Sequence, residues 1–190
     1  MINDIKMREI FPVDFARVVL DVDHKKILNY TLKFVEGIDH YTTYHDADTN
    51  KEWRNGLPEL DVLAEDITEA AREFCKRSGR KMRSDTLLTM WASVYNDGKG
   101  HGAHIHRRSL LSGTYYPIGT EQHSRIIFES PYQFHTMHDN IDEDRLTESF
   151  KPKEGDMLMW PSWLQHRVQE QTITSQSRVA ISWNIDSRRA

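Results

Sequence analysis

Three histidines, His101, His104 and His106, fall within six residues of the stretch "YNDGKGHGAHIHRRSLLSGTYY" (95–116). The last two are separated by a single residue. On a β-strand, residues i and i+2 face the same way, so two imidazoles at that spacing can converge on one ion. Imidazole nitrogen suits iron, zinc, copper or nickel. A third ligand must come from elsewhere, and His166 in "PSWLQHRVQEQ" is the strongest candidate, at the start of another strand-like segment. Such a set occupies one face of an ion and leaves the other open for substrate and oxygen. In a chain with ten histidines an HxH pair alone carries little weight, and two surface histidines on an edge strand would read the same way. His101, three residues before His104, points to the opposite face of a regular strand and is the weaker ligand.

The pair gains weight from Arg178, twelve residues after His166 at the head of "RVAISWNID". On a strand, Arg178, Ala180, Ser182 and Asn184 share one face, and Val179, Ile181, Trp183 and Ile185 share the other. The second set is a packing face. The first is small and polar around one arginine, as the wall of a pocket would be. A buried guanidinium pairs with a carboxylate, often through two parallel hydrogen bonds. No Asp or Glu stands at an obvious partner position, so a small dicarboxylate would serve. A surface arginine paired with a protein acid is the plainer alternative.

Taken together, these residues resemble the Fe(II)/2-oxoglutarate-dependent oxygenases. The closer resemblance is to a group of them in bacteria and phages. That group's pattern has a Gly-rich approach, HxH, a Ser and "LSGVYY", then Pro-x-x-Gly-Asp, an aromatic, "PSWLxHxV" and "RxxxSxN". This chain reads "GKGHGAHIHRRSLLSGTYY", "PKEGDMLMWPSWLQHRV" and "RVAISWNI", so the resemblance covers roughly residues 87–187. It implies an Fe(II) ion held by His104, His106 and His166. It implies 2-oxoglutarate as cosubstrate, its far carboxylate on Arg178, with Tyr95, Tyr116 and Asn184 as further cosubstrate contacts. It also implies dioxygen as co-reactant, and hydroxylation of an unactivated C–H bond with release of succinate and carbon dioxide.

One departure matters. The usual triad is two histidines and a carboxylate. Here His106 stands in the carboxylate's place, and a neutral imidazole does not offset the charge of the metal. Either His106 is a ligand, as in three-histidine cupin dioxygenases, or it stands behind the site while water or chloride completes it. Two readings from other classes stay open. One is a cupin-like three-histidine metalloenzyme that does not use 2-oxoglutarate and has no need of Arg178. The other is a non-catalytic metal-binding domain. Structural zinc usually takes four protein ligands, commonly cysteines, and this chain has only Cys75.

These residues need a rigid frame. From Leu87 onward, short β-branched, aromatic or alternating segments recur, split by Gly, Pro, Asn and Asp. They are "LLTMWASVY", "HIHRRSLL", "SGTYYPIG", "SRIIFES", "ESFKP", "DMLMWPS", "HRVQEQ" and "RVAISWNID". About eight strands fit a mainly β fold, a double-stranded β-helix (jelly roll, cupin-like). Residues 1–86 read as a mixed helical layer behind it. One or two strands are expected in "MREIFPVDFARVVLD". A helix is expected in "DHKKILNYTLKFVEG", with Asp23 as N-cap and Gly37 as stop, and Ile27, Leu28, Leu32 and Val35 as its packing stripe. The polar "DHYTTYHDADTNKEWRNG" reads as a loop. A second helix spans "PELDVLAEDITEAAREFCKRSG", from Pro58 to Gly79, burying Leu63, Ile67, Ala70, Ala71 and Phe74, with Cys75 packed beside them. The long interruption at 130–148 carries His135, His138, Asp139, Asp142, Glu143 and Asp144. It reads as a substrate-selecting lid or as a solvated acidic loop. Arg107 and Arg108 face an acidic substrate or simply guard a strand edge.

At 190 residues the chain suits a single domain over 1–190. A net charge of -4 argues against bulk binding to nucleic acid or to an anionic membrane. The start shows no apolar signal core, and no stretch approaches the eighteen apolar residues of a membrane span. A single cysteine fits a reducing compartment. The expected setting is the cytoplasm of a bacterium or phage-infected host. The expected partners are a small-molecule cosubstrate and a primary substrate that is a small metabolite or a protein side chain. A homodimer is compatible with the sequence.

Overall fold

The computed structural model describes residues 12–34, 40–132, 146–172 and 176–186. Among the described residues eight strands follow residue 86, the number expected: β3 (Leu87–Tyr95), β4 (His101–His104), β5 (Ser109–Tyr115), β6 (Ile126–Glu129), β7 (Thr147–Phe150), β8 (Asp156–Pro161), β9 (His166–Val168) and β10 (Arg178–Asp186). Two more, β1 (Ala16–Val19) and β2 (His40–Thr42), come before them. The ten strands form a six-stranded sheet, β1-β8-β5-β10-β3-β2, and a four-stranded sheet, β4-β9-β6-β7. All the pairings are antiparallel, and the architecture is the expected jelly roll. The N-terminal region is more than a helical backing, because β1 and β2 cover both edges of the large sheet.

The segmentation around the histidines differs from the sequence expectation. "HIHRRSLL" is not one strand. β4 ends at His104, the chain turns through Arg107 and Arg108, and β5 then runs unbroken from Ser109. Arg108 adopts a left-handed conformation (φ 72°) in that turn, and His106 lies between the strand end and the turn, outside the alternation that the HxH spacing presumes.

Helix α1 (His24–Lys33) begins as expected, the Asp23 carboxylate accepting a hydrogen bond from the Lys26 N–H at 2.9 Å. Val35 and the Gly37 stop lie outside the described residues, as do 133–145 of the expected lid; its last two residues, Thr147 and Glu148, belong to β7. The polar segment expected to be a loop instead holds β2, a 3-10 turn (Thr43–His45) and helix α2 (Ala47–Asn55). Asp46 caps α2 by accepting from the N–H groups of Asp48 and Thr49, and Asp48 and Arg54 suit its dipole at either end. One fully buried side chain, Trp53, anchors it. A single tryptophan does not make a visible periodic stripe, which is why composition alone suggests a loop.

Helix α3 (Glu59–Arg77) starts after Pro58 and is followed by Gly79 at φ 68°. Leu60, Leu63, Ile67, Ala71 and Phe74 are buried, Ala70 is partly so, and Cys75 packs among them. This face meets the outer face of the large sheet, including Ala92, Leu111, Met157, Ile181, Trp183 and Ile185. Gly113 of β5 lies opposite Trp183, where a Cβ would stand 2.2 Å from the indole ring. A second apolar cluster, built on Tyr116, Phe128, Leu158, Trp160 and Leu164, lies on the inner side and supports the site described next. Among the described residues no helix is long and apolar enough to cross a membrane.

Candidate metal centre

His104 closes β4, and His166 opens β9 directly opposite it in the antiparallel register. His106 lies two residues beyond the end of β4, so strand alternation does not place it. Instead its main-chain N–H donates to the Ser162 carbonyl at 3.0 Å, which draws the chain past the strand end toward the loop before β9. The ring centroids are 4.3 Å apart for His104 and His166, 5.0 Å for His104 and His106, and 5.2 Å for His106 and His166. One nitrogen from each of the three can be chosen so that all lie within 4.8 Å of one another, a set able to hold a metal ion. His101 is exposed, with its ring 4.1 Å from that of His104, and is not part of the set.

Two of the rings have a defined tautomer. His104 Nδ1 lies 2.8 Å from the Gly102 carbonyl oxygen, and His166 Nδ1 lies 2.9 Å from that of Leu164. A carbonyl only accepts, so each Nδ1 carries the proton and each Nε2 keeps its lone pair for a metal. Burial pushes the His166 pKa down to about 3, helped by the neighbouring imidazoles. Burial and His104 push His106 down to about 4, and burial lowers His104 as well. All three rings are therefore neutral near pH 7, the form that ligates.

Arg178 is 1% exposed. Its Nε donates to the Ser124 carbonyl at 3.3 Å and its Nη2 to the Tyr116 hydroxyl at 3.2 Å. The guanidinium carbon lies 5.0 Å from the Tyr95 ring centroid and 5.1 Å from that of Tyr116. Its Nη1 is buried with no hydrogen-bond partner, and no carboxylate pairs with it among the described residues. A buried charge in this state wants an anion. Burial raises the Tyr116 pKa, so its hydroxyl keeps its proton.

A cavity of about 290 Å³ joins these groups. The three histidines, Arg178, Tyr95 and Tyr116 all line it. Ser182, on the face of β10 expected to wall a pocket, lines it too. Trp91, Ser93, Thr114 and Trp160 also line it and do not stand out in the sequence. A signal for one of them exists: Ser112, Thr114 and Tyr116 alternate along β5 beside the Arg178 face, and Thr114 pairs in register with Ser182. Asn184, expected at the cosubstrate, is not among the cavity walls. Its Nδ2 lies 3.4 Å from His106 Nδ1, and its Oδ1 is 2.7 Å from the Ser112 hydroxyl.

A family model described as "Putative 2OG-Fe(II) oxygenase" matches residues 89–184, half of the chain, and this span contains the three histidines and Arg178. The chain belongs to this 2OG-Fe(II) oxygenase family. The oxygenase also resembles solved structures in fold. One is a prolyl-4-hydroxylase from Pseudomonas putida, with TM-score 0.63 and 11% identity, covering 93% of this chain and 89% of that one. Another is AviO1 from Streptomyces viridochromogenes, with TM-score 0.64 and 15% identity, covering 94% and 92%. A third is the α-ketoglutarate-dependent carbocyclase SnoK from nogalamycin biosynthesis, with TM-score 0.60 and 10% identity, covering 92% and 80%. At these identities the likeness is one of fold. No curated protein is close enough in sequence to count as a relative.

The family implies Fe(II) and 2-oxoglutarate, and the residues of this oxygenase fit both. Three neutral imidazoles converge, two with Nε2 free, and a buried guanidinium in the same cavity has an unused N–H for a carboxylate.

Proposed function

We propose that this oxygenase uses Fe(II), 2-oxoglutarate and dioxygen to hydroxylate a C–H bond of a primary substrate. That substrate is a small metabolite or a protein side chain, and 2-oxoglutarate leaves as succinate and carbon dioxide. The observation that carries the reading is Arg178: buried, without a protein carboxylate, and lining the same cavity as His104, His106 and His166. A three-histidine metalloenzyme without 2-oxoglutarate would have no use for it.

In this reading His104, His106 and His166 hold the metal through neutral nitrogens. When bound, the metal and cosubstrate together supply the oxidising power, drawn from dioxygen and the decarboxylation. Arg178 binds the far carboxylate of 2-oxoglutarate, with Tyr116 orienting the guanidinium and the Tyr95 and Tyr116 rings shielding it from water. Trp91 and Trp160 wall the cavity and limit the water that could compete for the site.

The test is succinate formation from 2-oxoglutarate in protein loaded anaerobically with Fe(II) and then exposed to oxygen. A 2-oxoglutarate titration runs beside it. Wild type is expected to bind and turn over, while His166→Ala and Arg178→Ala abolish both. Metal binding without any 2-oxoglutarate binding would sink the reading. Product analysis separates hydroxylation from ring formation, the chemistry named for one structural neighbour.

A further inference from the structure

His106 differs from the other two histidines in what holds its ring. Backbone carbonyls fix His104 and His166, but the partner at His106 Nδ1 is the side-chain amide of Asn184, 3.4 Å away. Asn184 is 6% exposed and leads to two fully enclosed hydroxyls. Ser112 Oγ lies 2.7 Å from Asn184 Oδ1 and 3.1 Å from Ser162 Oγ. Ser162 also accepts the His106 N–H through its carbonyl, so one residue steadies both the backbone and the far end of the relay.

Proton accounting decides which way the amide must face when a metal is bound. If the NH2 group donates to His106 Nδ1, that nitrogen is an acceptor and the ring proton sits on Nε2. No lone pair is then left for a metal. In that orientation Ser112 donates to Asn184 Oδ1 and Ser162 donates to Ser112, so the serine pair accepts either orientation and the metal's need for a lone pair decides between them. With the amide turned, its oxygen accepts from His106 Nδ1–H, its NH2 donates to Ser112, and Ser112 donates to Ser162. Every group in the buried chain is then satisfied.

We propose that Asn184 is the positioning residue for His106: its amide oxygen fixes the Nδ1–H tautomer and presents Nε2 to the metal, with Ser112 and Ser162 locking the amide. The proposal rests on His106 being a ligand, as in the function proposed above. It also bears on the missing carboxylate. An accepting oxygen behind an imidazole raises its basicity, so part of the lost negative charge is returned from one shell further out.

The test is Co(II) titration followed by visible absorption, on the full chain, for wild type, His106→Ala, Asn184→Leu and Asn184→Asp. A histidine 15N NMR spectrum of each metal-free protein reports the tautomers. Asn184→Leu is expected to weaken Co(II) binding about 10- to 100-fold and to mix the His106 tautomers. Asn184→Asp keeps an accepting oxygen and is expected to bind within a few-fold of wild type or tighter (on the order of the scatter among outer-shell variants). If Asn184→Leu does not fold, Asn184→Asp and Ser112→Ala carry the comparison, Ser112→Ala with a smaller loss. Wild-type affinity and an unmixed tautomer in Asn184→Leu would overturn the proposal, as would an Asn184→Asp loss equal to that of leucine. Loss of binding in His106→Ala with none in Asn184→Leu overturns only the positioning role. Full binding in His106→Ala removes His106 from the ligand set, and the proposal with it.

Discussion

On one face of β10, Val179, Ile181, Trp183 and Ile185 are fully enclosed, all apolar, and packed under the helices. On the other face Arg178 and Ser182 line the cavity and Asn184 meets His106, and Arg178 keeps a buried N–H without a partner. Nine residues of one strand thus carry two burdens. The outer face contributes stability by removing apolar surface from water. The inner face holds polar groups in places where a folded protein gains nothing until a ligand arrives. Function is concentrated where local satisfaction is given up, and the adjoining packed face offsets that loss.

The comparison can be broken most directly with Trp183→Ala, which should destabilise the protein by about 3–5 kcal/mol. Urea unfolding would show this as a lower midpoint at unchanged slope. A loss under about 1 kcal/mol would mean the outer face is not the support it is taken to be. Arg178→Met should do the opposite. Binding of 2-oxoglutarate should weaken by about 2–5 kcal/mol in a calorimetric titration. The ligand-free protein should stay as stable as wild type, or gain, because an unpaired buried charge has gone. If its midpoint falls as far as that of Trp183→Ala, the two faces share one role.

Gly113→Ala should cost about 1–3 kcal/mol through overpacking, since the added methyl meets the Trp183 ring and the Leu158 carbonyl. Circular dichroism melts would read it, and an unchanged melting temperature would show that the indole can shift freely.

The smallest effect per step is with pH. His166 has a folded pKa near 3, well below the unfolded value near 6.5. Between those values the unfolded chain binds the proton and the folded one does not. Metal-free stability is therefore complete above about pH 6.5 and declines as pH falls, by up to about 1.4 kcal/mol per pH unit from His166. His166→Gln should reduce that slope by the His166 share and leave the part from His106 and His104, whereas Trp183→Ala should lower the whole curve and leave the slope alone. A slope unchanged by His166→Gln would place the sensitive group elsewhere.

Much of the inner face was legible from two-residue alternation, because β10 and β5 are regular through the residues that matter. His166 could be found because it opens a strand, and the ends of α1 and α3 because Asp23, Pro58 and Gly79 have defined capping roles. The position of His106 was not legible. Alternation presumes a strand, and the chain leaves the strand at His104, held instead by Ser162 more than fifty residues away. Asn184 stands on the expected face but beside His106 and outside the cavity wall, since period alone does not say how far along a strand a cavity extends. The fold of 40–56 was hidden by polarity, though Asp46 with Asp48 and Arg54 carries the signature of a capped helix.

The placement of β10 in the middle of its sheet has a consequence for the order in which the protein can be made. β3 and β5 leave the ribosome some sixty to ninety residues ahead of the strand that must lie between them. Until residue 178 and its followers emerge, both present open edges, a period of exposure to wrong partners. His104 and His106 emerge early, but His166 follows about sixty residues later and Arg178 later still. The proposed metal set and the grip on the cosubstrate are therefore completed only in the last part of synthesis, together with the strand that closes the sheet.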